Sequence, residues 1–136
     1  MARRAWILAL LLLVATGTAL AASPVGGGSY RGKNSRGARA SLKVSHNGSR
    51  IVRLNAGNIR VRCSDGSKQT EPTQVADILR IVRNGRFRNN AVNFTSGNAG
   101  GIAGRFVTHR RVRGRVAVST REDCFGRASF TLTLVR

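Results

Sequence analysis

The sequence is short of acid. Its 136 residues hold five Asp or Glu against 24 Lys or Arg, a formal charge of +19. The acids are Asp65, Glu71, Asp77, Glu122 and Asp123. Glycoside-type hydrolysis needs two carboxylates held several Å apart across a cleft. Glu122 and Asp123 are chain neighbours just before Cys124, so their side chains diverge in a turn. Asp65 precedes Gly66, where turn chemistry accounts for it. Histidine is equally scarce: His46 precedes Asn47-Gly48, and His109 lies in "THRR". A hydrolytic triad needs a nucleophile, a base and an orienter, and neither G-x-S-x-G nor a Cys/His signature occurs. Scattered His, Cys and carboxylates give no metal-ligand spacing. The glycine runs at 26–28 and 97–104 lack the G-x-x-x-x-G-K-[ST] phosphate loop. No catalytic residue, cofactor or metal site is expected. Aromatics make up 5% of the chain. Single-strand nucleic-acid binding uses exposed aromatics for stacking. The five Phe are expected on apolar faces or in loops, with only "RFR" at 86–88 interleaving.

The N-terminus follows a secretory pattern. Arg3 and Arg4 precede an apolar stretch from Ala5 to Val14, and Ala19-Leu20-Ala21 forms an A-x-A site. The uncharged stretch from Ala5 to Ala22 approaches a membrane span in length. Thr16, Gly17 and Thr18 dilute it, so the expected fate is cleavage after Ala21 and secretion rather than anchoring. A mature chain of 136 − 21 = 115 residues carries 19 − 2 = +17 and suits one domain. Its two cysteines, Cys63 and Cys124, favour one disulfide in an oxidising compartment.

Residues 22–39 are rich in Gly, Ser and Arg and read as a flexible linker or tail, with Tyr30 as the possible start of a first strand. From Ala40 to Arg136 the period is close to two. Ala40, Leu42, Val44 and His46 share one face, and Asn47-Gly48 signals a two-residue hairpin to "RIVRLN". Ile59, Val61 and Cys63 alternate with Arg60, Arg62 and Ser64. Residues 67–74 read as a polar loop. Val75, Ile78, Leu79 and Val82 fit a helical template, yet "ILRIV" before Asn84-Gly85 also fits a hairpin arm, and the β context favours strand. Ile102-x-Gly104-x-Phe106 and Val112-x-Gly114-x-Val116 predict a hairpin whose glycines leave room for large side chains from an opposite sheet. The last strand points Ala128, Phe130, Leu132 and Leu134 inward. The prediction is an all-β fold: a single antiparallel β-sandwich, or partly open barrel, of about 7–9 strands with one disulfide.

"YRGK" at 30–33, "CSDG" at 63–66, "NGRF" at 84–87, the paired glycine motifs and the late Cys124 are similar in order to a family of small exported β-domains. That family belongs to high-GC Gram-positive bacteria and has no assigned activity. The resemblance implies export and a β-fold, and it carries over no functional residue.

What remains is charge. Arg105, Arg111, Arg113 and Arg115 avoid the apolar face of the 102–118 hairpin, Arg110 sits near its turn, and Arg60 and Arg62 add an outward row. Guanidinium groups donate to phosphate or carboxylate in a bidentate fork. These seven arginines are the candidate anion-binding set. A solvated basic face, or the arginine bias of a high-GC genome, explains the same composition without a ligand. The expected function is a non-enzymatic secreted domain that binds an anionic polymer or cell-envelope surface. Alternatives are a structural or inhibitor-like protein-interaction module and, more remotely, an extracellular hydrolase.

Overall fold

Period-two alternation of apolar and polar residues produces strands throughout. The computed structural model describes residues 22–136. The expected signal segment, residues 1–21, lies outside the described residues. The strands are β1 (Ser29–Asn34), β2 (Arg39–Val44), β3 (Arg50–Asn55), β4 (Ile59–Cys63) and β5 (Lys68–Glu71). They continue with β6 (Leu79–Arg80), β7 (Arg86–Asn93), β8 (Ala99–Thr108), β9 (Arg111–Ser119) and β10 (Cys124–Leu134). Among the described residues no helix is long and apolar enough to cross a membrane.

All pairings are antiparallel, in the order β6-β3-β2-β1-β10-β9-β8-β7. The sheet curls until its ends meet. Residues 73–76 stitch the seam: Val75 N–H donates to Leu54 O, and on the other side Ala76 N–H donates to Asn93 O, both at 2.8 Å. Near-closure removes most free edges, which otherwise template aggregation. The fold is therefore the barrel form of the expected architecture. It has ten strands rather than seven to nine, and the short β5 lies in a stretch expected to be a loop.

β10 organises the sheet. β9 lines it from Phe125 to Thr133. On its other edge β1 pairs over Phe130–Leu134, and β4 pairs over Cys124 and Phe125. Cys63 and Cys124 face each other directly and are bonded, 61 residues apart in sequence. The bond fastens the β4–β5 hairpin to the barrel.

The interior collects Leu42, Val44, Ile51, Leu54, Val92, Val112, Val116 and Leu132 around five buried aromatics, Tyr30, Phe87, Phe94, Phe106 and Phe130. Phe106 meets Tyr30 edge-on at 5.3 Å between ring centroids and Phe87 at 6.0 Å. One inward row runs Phe87–Gly104–Gly114–Phe130 across four strands. A Cβ at Gly104 would overlap the Phe87 ring, and one at Gly114 the Phe130 ring. The glycines do make room for large side chains, but these come from neighbouring strands of the same sheet, not from an opposite one.

Several expectations need correction. Residues 22–39 are not a linker: β1 lies between β2 and β10, and Tyr30 is fully buried. Its hydroxyl donates to His109 O at 2.6 Å and accepts from Val25 N–H at 3.0 Å. One buried aromatic with two hydrogen bonds outweighs a glycine-rich, loop-like composition. His46 is exposed, because the β2–β3 connection spans residues 45–49 and only Gly48 in it takes positive φ. Residues 75–83 are mostly neither helix nor long strand. Val75 and Leu79 are buried while Ile78 and Val82 are 60% and 53% exposed, which rules out the helical stripe. Asn84 and Gly85 both take positive φ and reverse the chain into β7, but β6 pairs with β3 and not with β7, so the expected hairpin ladder does not form. The polar stretch 67–74 contains β5.

Candidate arginine face

The outer surface of β7–β10 can be read directly from the strand register. Arg86, Arg105 and Arg113 are directly opposed in one row across β7, β8 and β9. Two residues along the strands, the next row is Arg88, Ala103, Arg115 and Ser129. The row after that places Gly101, Ala117 and Arg127 side by side. Strands lie about 4.8 Å apart and two residues span roughly 7 Å. Five arginines thus project from a patch about 10 Å by 7 Å.

Small residues between them leave hollows. One shallow groove of about 440 Å³ has Arg86, Arg88, Arg105, Arg113 and Arg115 on its walls and the backbones of Gly104 and Gly114 in its lining. A second, about 310 Å³, is lined by Arg88, Arg115, Arg127 and Phe125 over Gly101 and Ala117. A third, beside Ser35 and Arg36, again takes in Arg115 and Arg127. Arg115 stands where the three join. Arg88 is steadied by a 3.0 Å hydrogen bond from Nε to Asn90 Oδ1.

The acids are engaged elsewhere. Asp65 accepts from the Ser67 hydroxyl and amide, which hold its exposed carboxyl below the usual value. Asp77 accepts from Asn93 N–H, Glu71 from the Asn98 amide, and Glu122 from Gln69. None of these partners is an arginine. Asp123, in the left-handed region at φ 57°, forms the turn before Cys124. Among the described residues no group of three His, Cys, Asp or Glu side chains comes together.

The seven candidate arginines divide three ways. Arg105, Arg113 and Arg115 are neighbours on the face. Arg110 and Arg111 lie at the β8–β9 turn, with Arg111 opposite Thr133 of β10. Arg60 and Arg62 point outward from β4, with Arg62 opposite Phe125. From Thr133 to Phe125 is eight residues of strand, roughly 26 Å. Arg111 and Arg62 therefore cannot serve one small ligand, and Arg60 lines none of the three grooves.

Sequence reasoning missed Arg86, Arg88 and Arg127 as members of the face. Arg86 and Arg88 flank the core residue Phe87, so alternation alone places them outside. It also missed Phe125. Four of the five Phe are buried, but Phe125 is 52% exposed on the outer face. Extending the outward set of β10 backward from Ser129 by twos reaches Arg127 and then Phe125.

Basic residues also face one another elsewhere, as in Lys43 opposite Arg53 and Arg50 opposite Arg80. The β7–β9 patch differs in having three in a row with two more beside them around a groove. No family model matches the chain, nor does any curated protein or solved structure.

Proposed function

We propose that this is an exported, non-enzymatic domain that binds anionic polymers or envelope surfaces through the outer face of β7–β10. The carrying observation is the directly opposed row Arg86–Arg105–Arg113 with Arg88 and Arg115 beside it. Like charges directly opposite across strands are destabilising. A polyanion would relieve that repulsion and meet guanidinium forks spaced a few Å apart. The A-x-A pattern, the disulfide and the motif order shared with small exported β-domains support an extracellular setting.

Retention on heparin resin as a function of salt tests the reading. The wild type is expected to stay bound to roughly 0.5 M salt. R86Q/R105Q/R113Q is expected to elute much earlier than R50Q/R53Q/R80Q, which removes the same charge from β3 and β6. Equal elution of the two triple variants would reduce the binding to bulk charge and overturn the assignment.

A further inference from the structure

Phe125 is the one exposed aromatic among the described residues. The other outward residues of β10 are Arg127, Ser129, Thr131 and Thr133, all polar. A phenyl ring in that series is not needed by the core. Its cross-strand neighbours are Ser119 on β9 and Arg62 on β4. It shares a groove with Arg88, Asn90, Arg115 and Arg127, and Gly101 and Ala117 are also in the lining.

We infer that the polymer bound at this face is a single-stranded nucleic acid, with Phe125 as the platform on which a base stacks. The inference rests on the polyanion reading above and names its ligand class. Single-strand binders combine a positive track for the backbone with aromatic faces for the bases. Both parts line one groove here. Arg88, Arg115 and Arg127 meet phosphates, and Phe125 offers its ring at the end of the groove. Gly101 and Ala117 leave an apolar stretch of lining near Phe125 against which a planar base can lie, with Asn90 and the arginines as the polar groups around it. A duplex hides its base faces, so it gains from the arginines alone.

Dissociation constants measured at fixed salt test this. The probes are a single-stranded oligodeoxynucleotide, the same-length abasic phosphodiester, the matching duplex and heparin, each against wild type, F125A and F125W. The wild type is expected to bind the base-bearing strand about tenfold more tightly than the abasic one, within the range of one stacked base. F125A should abolish that difference, and F125W should keep it. Identical thermal melts for the three proteins would show that the fold is intact. Equal binding of base-bearing and abasic strands by the wild type would overturn the stacking role while the arginine face stood. Stronger binding of heparin than of the base-bearing strand would overturn it in favour of a polysaccharide. Failure to bind any of the four would overturn both readings.

Discussion

Gly114 and Phe130 are directly opposed on β9 and β10, and the Phe130 ring fills the space a side chain at 114 would take. G114A must push that ring aside and also crowds the Ala103 carbonyl. Overpacking of this kind costs about 1–3 kcal/mol. Urea denaturation of G114A should show that loss, with F130L in the same chain recovering only the part due to the ring. An unchanged midpoint for G114A would refute the packing account.

The Cys63–Cys124 bond closes a span of 61 residues. Chain-entropy reasoning assigns such a loop about 4 kcal/mol. C63A/C124A is expected to lose stability on that scale. Amide exchange should accelerate most in β4 and β5, which that bond ties to β10, and least in β8 and β9. Uniform acceleration would mean that the hairpin does not depend on the bond.

Tyr30 links stability to alkaline pH. Burial pushes its phenol above the ordinary value, and the Val25 N–H opposes this in part. The folded state therefore resists ionisation more than the unfolded state does. Its contribution is complete below the unfolded phenol pKa of about 10 and is lost as pH rises through the folded value. The urea midpoint should fall above pH ~10, and the difference between wild type and Y30F should shrink there. Phenolate absorbance reports this directly, because the chain has one tyrosine.

Asn34 is buried with every polar atom engaged. Its amide donates to Ala56 O and Asn58 O at 3.0 Å, and its oxygen accepts from Arg36 N–H and Ala38 N–H. N34A leaves the buried Ala56 carbonyl without its side-chain donor, a loss of about 1–3 kcal/mol. A thermal melt of N34A within experimental error of wild type would show that water replaces the amide.

Much of the barrel was legible because alternation is a local signal. Ile59, Val61 and Cys63 are buried with Arg60 and Arg62 outside, and the β8–β9 hairpin and β10 run as their pattern predicts. Two kinds of feature were not legible. Tyr30 and Val75 owe their places to partners far along the chain, Leu134 in β10 and Phe94 just after β7, and the residues around them read as tail and loop. The arginine face depends on register. Arg86, Arg105 and Arg113 lie up to 27 residues apart, and only strand pairing brings them into a row. Arg60 and Arg62 look like part of it in sequence, but β4 joins the far end of β10.

β10 touches β1, β4 and β9, and nine strands precede it. A chain emerging N-terminus first thus cannot close its barrel until Leu134 is available. Until then β1 lacks its main partner and β9 has a bare edge. Such long-range pairing is slow to form and leaves strand edges open to association. The excess of arginine then acquires a role in time as well as in space. Mutual repulsion among incomplete chains keeps them apart during the interval in which their edges are most adhesive.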